Sequence, residues 1–160
     1  LVHTALHDMN LDDIDILFIE NVGNLVCPAS FDLGQHYNVT LLSTTEGDDK
    51  PAKYPVMFRA ADIMLVTKSD LLEVLGDFDP EKATSCVRQL ANPAPVMTLS
   101  SRSGEGLEQW FAWIDQQYEA QQDRVGSGDT RKPAIQPDGV ALHGHEQHAH
   151  HHHDGHHEHD

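Results

Sequence analysis

The sequence is short of positive charge and of cysteine. Ten Lys and Arg stand against 26 Asp and Glu, a formal charge of -16. Such a surface repels phosphate backbones and anionic lipid, which argues against nucleic acid or a membrane surface as partner and makes cations the natural counter-charge. Two cysteines, Cys27 and Cys86, are too few for a disulfide framework. No apolar run reaches the roughly 20 residues of a membrane-spanning helix, and no charged segment followed by an apolar stretch precedes the first hydrophobic run. A cytoplasmic setting is the expectation. The chain opens on Leu1 and not Met, which reads as a fragment or a processed chain. Apolar residues are also scarce from Gln121 to Asp160, where Gly, Pro, Asp and His dominate, so that part is expected to be disordered unless something binds it.

What is present lies mostly before Tyr118. The 160 residues, 39% of them apolar, suit one domain of ordinary size. Short continuous apolar runs recur at Ile14–Glu20, Val39–Thr44, Asp62–Lys68 and Pro95–Ser100, each typical of a strand covered on both faces. Leu1 to about Met9 reads as the end of a helix, and Tyr54–Ala61 as a short helix after Pro51 and Pro55. Asp79-Pro80-Glu81 offers a cap, a first-turn proline and an acid for a helix running to about Ala91. A further helix should begin near Gly106, with Leu107, Trp110, Phe111, Ile114 and Tyr118 on the sheet and Glu108, Asp115 and Glu119 in solvent. Cys86, in the middle of the preceding helix, is expected in the core. Alternating strands and helices give a doubly wound parallel α/β layer, whose ligands bind beyond the carboxyl ends of the strands.

Polar motifs follow those runs. Thr67, Lys68 and Asp70 come after the third, and Ser100, Ser101, Arg102 and Gly104 after the fourth. An aspartate on a rigid strand end can accept from two adjacent N–H groups of a purine edge, a pair that guanine offers and adenine does not. A lysine beside it can lay its methylene stem over the base, and the N–H groups of the serine loop can donate to the guanine carbonyl. Either motif alone is weak; two, about 30 residues apart with a helix between, point to guanine recognition.

The strings "LFIENVGNLVCPASFDLG", "TEGDDKPAKYPVMFRAADIMLVTKSDLL", "FDPEKA" and "SSRSGEGLEQWFAWI" resemble the carboxyl-terminal half of the HypB family, SIMIBI-class GTPases that help deliver nickel to [NiFe]-hydrogenase. The resemblance covers roughly Asp12 to Tyr118. It implies an α/β, parallel-sheet P-loop-type GTPase fold of the SIMIBI kind, with residues 1–120 as the later part of a GTPase domain and 121–160 as a linker and metal-binding tail. It further implies GTP, Mg²⁺ and Ni²⁺ (or Zn²⁺) as ligands and a homodimer promoted by GTP. A HypA-like nickel-binding accessory protein and the [NiFe]-hydrogenase large-subunit precursor are the partners it implies. By the same resemblance Thr67-Lys68-Asp70 matches the guanine-reading motif commonly written Asn-Lys-x-Asp, and Ser100-Ser101-Arg102 matches the loop commonly written Ser-Ala-Lys/Arg. Glu20, Asn21 and Gly23 match the segment near Mg²⁺ and the γ-phosphate, and Cys27 matches a metal-binding cysteine between subunits.

Physical reasoning fits these assignments. A carboxylate at Glu20 can hold Mg²⁺ directly or through water. Gly23 permits a backbone N–H to approach a terminal phosphate, a contact present with GTP and lost with GDP. Cys27, four residues on, offers a soft thiolate that any movement of that turn would carry along, although one cysteine cannot complete a site.

The chain departs from the family pattern at several places. The phosphate-binding Gly-x-x-x-x-Gly-Lys-Ser/Thr loop does not occur in the 160 residues, nor does the family's Cys-His metal pair. Both are expected upstream of Leu1, and without that cradle the chain itself should not hydrolyse GTP. Thr67 stands where Asn is usual, removing an amide that braces neighbouring loops, and Ser101 stands for Ala. The last segment carries ten histidines, His143, His145, His148, His150, His151, His152, His153, His156, His157 and His159, interleaved with Asp, Glu and Gly. Imidazole suits Ni²⁺, Cu²⁺ and Zn²⁺, and a flexible run can wrap several ions, releasing them as the rings protonate below about pH 6.5. The irregular acidic spacing is unlike a plain affinity tag, and family histidine stretches usually lie at the amino end. Two functions therefore compete. One is a GTP-driven nickel chaperone; the other is a nickel-storage protein acting through its tail without GTPase activity.

Overall fold

The computed structural model describes residues 2–21 and 33–128. Three parallel strands, β1 (Val39–Ser43), β2 (Ile63–Thr67) and β3 (Val96–Leu99), form a sheet in the order β1-β2-β3. Val39 pairs with Ile63, and Met64 with Val96. Each strand coincides with an expected apolar run.

β2 is buried from Ile63 to Val66 because it lies between two strands and under two layers of helices. Alternation divides its side chains. Met64 and Val66 join Leu42, Phe58, Phe78, Ala83 and Val87 on one face, whereas Ile63 and Leu65 join Leu99, Val39, Met97, Leu107, Trp110 and Trp113 on the other.

The first face is covered by short helices, α2 (Lys50–Lys53), α3 (Pro55–Arg59) and α5 (Pro80–Gln89), with the one-turn α4 (Leu72–Leu75) adding Leu72 to the same core. Prolines open α2, α3 and α5. Asp79 caps α5, its Oδ1 accepting from the N–H groups of Glu81 (2.9 Å) and Lys82 (3.3 Å), as the Asp-Pro-Glu string leads one to expect. Asn92, buried after α5, donates to the carbonyls of Phe58 (2.7 Å), Arg59 (3.2 Å) and Ala61 (2.9 Å), tying this layer to the β2 entry. Cys86 is only half-buried on α5, not part of the core.

The second face receives α6 (Leu107–Gly126). Leu107, Trp110 and Trp113 make its contact stripe; the two indoles stack with centroids 5.4 Å apart, and Tyr37 meets Trp113 edge-on at 5.6 Å. Phe111 does not belong to the stripe, being 55% exposed. One residue beyond Trp110 it is turned by about 100°, out of the contact. α6 runs to Gly126, so the first residues of the expected linker, 121–126, are helical.

The first apolar run differs most from expectation. α1 (Val2–His7) is present, but Ile14–Glu20 is not a strand. Ile14, Ile16, Leu17, Phe18 and Ile19 are exposed, Phe18 by 67%, beside a cavity of about 560 Å³ that Trp110, Trp113 and Tyr118 also line. A strand needs a neighbour for its N–H and C=O groups, and among the described residues β1 pairs only with β2. A hydrogen bond of 3.2 Å from the Tyr118 hydroxyl to Asp15 Oδ1 holds the segment to α6, and it raises the phenol's pKa above its ordinary value. No helix among the described residues is long and apolar enough to cross a membrane.

Candidate functional site

The carboxyl ends of β2 and β3 lie side by side, which brings the two polar motifs together. Thr67 ends β2, and Lys68 follows with φ 61° and ψ 43°, a left-handed turn that redirects the chain into the 3-10 turn Ser69–Leu71. The Lys68 side chain is left exposed and Asp70 half-buried. After β3, Ser100 is fully buried, and Ser101 and Arg102 are exposed on the loop that closes onto α6.

Two hydrogen bonds lock the loops to each other. The Ser100 hydroxyl donates to Asp70 Oδ1 at 2.6 Å, and the Ser69 hydroxyl donates to Glu105 Oε2 at 2.6 Å. Ser100 Oγ in turn accepts from the N–H groups of Arg102 (3.1 Å) and Ser103 (3.2 Å), which curls the loop around it. Ser100 N–H donates to the Glu105 carbonyl and Gly104 N–H to the Ser100 carbonyl, both at 2.9 Å. Gly106 completes the closure with φ +73°; a Cβ there would lie 2.1 Å from the Thr98 carbonyl oxygen. Only glycine fits where α6 starts so close to β3.

The end of β1 supplies a third wall. Thr44, buried, donates through its N–H to the Thr67 carbonyl and through its hydroxyl to the Lys68 carbonyl, both at 3.1 Å. Nearby, burial pushes the Glu46 carboxyl up. Hydrogen bonds from Lys50 and the Ser43 N–H, with the charges of Lys50 and Lys68, outweigh that and hold it below its ordinary range.

Thr67, Lys68, Asp70, Ser100, Ser101 and Arg102 thus share one edge of the sheet. Among the described residues only Oδ1 of Asp70 is engaged, by a donor, so the carboxylate keeps acceptor capacity on both oxygens. Held at a fixed angle, it can receive two parallel N–H groups from a planar ligand. Thr44, Ser69, Glu105 and Gly106 were not expected at the site. Of these only Gly106 carried a signal, as the glycine immediately before an apolar helical stripe.

Glu20 and Asn21 are exposed on a segment without regular structure, and the expected strand end that would aim Glu20 at a phosphate is not formed. Among the described residues no group of three or more His, Cys, Asp or Glu is placed to hold a metal ion. Gly23, Cys27 and the histidines from His143 to His159 lie outside the described residues.

Comparison with known proteins bears on this geometry. Residues 2–98 match the family model described as CobW/HypB/UreG, nucleotide-binding domain. The chain is 52% identical over 117 residues to hydrogenase maturation factor HypB of Escherichia coli K12, covering 73% of this chain and 40% of that protein. Against HypB of Azotobacter vinelandii the identity is 56% over 109 residues, covering 67% and 36%. The chain therefore spans well under half the length of these curated relatives. Among solved structures, HypB from Archaeoglobus fulgidus superposes with a TM-score of 0.65 at 39% identity, covering 71% of this chain and 60% of that one. HypB from Helicobacter pylori, in complex with nickel, gives 0.59 at 38%, covering 62% and 46%. The parallel sheet and its helices are thus those of an α/β P-loop GTPase fold, and the chain belongs to the CobW/HypB/UreG nucleotide-binding family, with its similarity on the HypB side.

Proposed function

We propose that this chain carries the guanine-reading part of a GTP-binding, GTP-hydrolysing nickel chaperone for [NiFe]-hydrogenase maturation. The observation that carries the reading is the Asp70 carboxylate, clamped by Ser100 at 2.6 Å beside the left-handed Lys68 turn. In this reading Asp70 accepts the N1 and 2-amino N–H groups of guanine. Lys68 lays its stem along the base, and the N–H groups of the Ser101–Arg102 loop face the 6-carbonyl. Family membership supports nucleotide as the ligand, and the relatives' description as hydrogenase maturation factors supports the pathway. Nickel in one related structure supports nickel as cargo, with Cys27 and the ten-histidine segment as candidate donors from sequence alone. Zinc is a second candidate at the thiolate. Residues 1–120 as GTPase part and 121–160 as linker and metal tail, a GTP-promoted homodimer, a HypA-like partner, the hydrogenase large-subunit precursor and a cytoplasmic setting belong to the same proposal. Hydrolysis calls for a phosphate-binding loop, which these 160 residues do not contain. The chain by itself should therefore bind guanine without turnover.

Amide chemical shifts of the chain titrated with GMP and AMP test the reading. GMP should move the resonances of residues 68–71 and 100–105 at concentrations where AMP leaves them unchanged. Equal responses to both nucleotides, or none, would remove guanine recognition from this site. The ten histidines favour a second reading, nickel storage through the tail. It is supported instead if nickel loading is unaffected by nucleotide and guanine does not bind.

A further inference from the structure

Lys68 occupies the left-handed region, with φ 61° and ψ 43°, a conformation unfavourable for a residue that carries a Cβ. Something must hold it there, since the turn aims both the lysine stem and the carboxylate two residues on. Two donors converge on the Lys68 carbonyl: the Leu71 N–H at 3.0 Å, which closes the turn locally, and the Thr44 hydroxyl at 3.1 Å, which comes from another strand. Thr44 is itself fixed. Its N–H donates to the Thr67 carbonyl at 3.1 Å, extending the β1–β2 ladder by one residue, and it is only 4% exposed, so its hydroxyl has little water to fall back on. Fixing the Lys68 carbonyl from two directions fixes the Lys68–Ser69 peptide plane, and with it the ψ of Lys68. Thr67 carries no amide that could do this from the end of β2.

We infer that Thr44 is a positioning residue for the base-reading turn. Its hydroxyl, bonded to the Lys68 carbonyl, sets the left-handed conformation from which Lys68 and Asp70 face a purine. The functional half of this inference rests on the guanine reading above; the conformational half stands without it. Thr44 touches no base, so its loss should weaken binding without changing which base is preferred, because Asp70 keeps the two acceptor oxygens that tell guanine from adenine.

The experiment compares the parent chain with Thr44→Val, which removes the hydroxyl at nearly constant shape, and Thr44→Ser, which keeps it. Thr44→Ala supplies the same readout should the valine prevent folding. Titration with GMP and AMP reads affinity and preference, and the Lys68 backbone shifts and HN–Hα coupling read its φ without nucleotide. Thr44→Val should bind GMP about five- to tenfold more weakly, the worth of one hydrogen bond, with the preference over AMP retained. Lys68 should lose its left-handed signature, and Thr44→Ser should match the parent within about twofold in GMP affinity, since the bond is kept. Unchanged GMP affinity together with an unchanged Lys68 signature in Thr44→Val overturns the inference. If the parent itself shows no preference for guanine, the proposed function fails. The Lys68 signature then still decides, its persistence in Thr44→Val overturning the positioning role and its loss supporting it.

Discussion

Ser100 and Asp70, thirty residues apart in sequence, meet through a 2.6 Å hydrogen bond at the carboxyl edge of the sheet, with Ser100 fully buried and Asp70 half-exposed. The hydroxyl donates to the carboxyl oxygen, and the serine oxygen in turn accepts from the Arg102 and Ser103 N–H groups. Ser100→Ala removes all three interactions at one atom. Water can reach the exposed loop N–H groups and Asp70, so the loss of stability should be near the lower end of the range for an unsatisfied polar group, about 1 kcal/mol. Urea unfolding should show that decrease with an unchanged slope. GMP-induced shifts at residues 101–105 should shrink as well, and a variant of parental stability and GMP response would mean that the bond orders nothing.

Asp70→Asn should exchange guanine for xanthine. Since the Ser100 hydroxyl is committed to donating, the introduced asparagine must turn its carbonyl oxygen toward Ser100 and its amide NH₂ outward. That NH₂ opposes the 2-amino group of guanine but matches the 2-carbonyl of xanthine. Losing charge-assisted contacts should weaken GMP binding by roughly 10- to 100-fold, while XMP binding rises above GMP. Competition titrations with the two nucleotides check this. Parental GMP affinity in Asp70→Asn would place the base elsewhere.

Much of this edge was legible in sequence because its parts are local. Strands β1, β2 and β3 are short apolar runs whose burial follows from composition, and Asp79-Pro80-Glu81 carries its own cap. Lys68, Asp70 and Ser100 were found because polar residues after a buried strand have few structural reasons to be there. What escaped depends on partners distant in the chain. Ile14–Glu20 has a strand's composition but no strand beside it among the described residues, and composition cannot report a missing neighbour. Phe111 and Trp113 both fit a helical apolar pattern; which one faces the sheet is decided by the rotation of α6, set in turn by the close approach at Gly106. Thr44 and Glu105 gave no signal, since a threonine ending a strand and a glutamate in a loop look alike whether or not another loop depends on them.

Acid stability should report on Asp48. It is buried behind the turn after β1, its Oδ1 receiving Lys82 Nζ at 2.7 Å and its Oδ2 the Asp79 N–H at 3.2 Å. The Lys82 hydrogen bond leads the causes that hold its carboxyl below an aspartate's ordinary value near 3.8, with burial opposing. Because the folded-state pKa is depressed, the stabilisation is complete above that ordinary value and disappears as pH falls through the lowered one. The same bond raises the Lys82 pKa above 10.5, so at the alkaline end the contribution persists until pH passes that raised value. Urea unfolding between pH 2 and pH 7 should show the parent losing more stability than Asp48→Asn below about pH 4. Parallel curves would mean that the pair contributes no pH-dependent stability.

Gly106→Ala should separate the fold from the site less cleanly than any surface change, because the glycine serves both. Its φ of +73° is unfavourable for alanine, and the new methyl would meet the Thr98 carbonyl oxygen at 2.1 Å and Leu99 Cα at 3.0 Å, backbone atoms of β3 that cannot rotate away. The left-handed cost alone is about 1–2 kcal/mol, and the displacement of α6 adds to it, for a total of at least about 2 kcal/mol. Relief must come from moving the α6 start or the Ser101–Glu105 loop, and either breaks the contact between Ser69 and Glu105. Thermal unfolding should therefore drop by several degrees, and the Ser69 amide should lose protection from hydrogen exchange together with the loop. Loss of stability with Ser69 unchanged would show that the strain is absorbed within α6 and that the two loops are coupled through Ser100 alone.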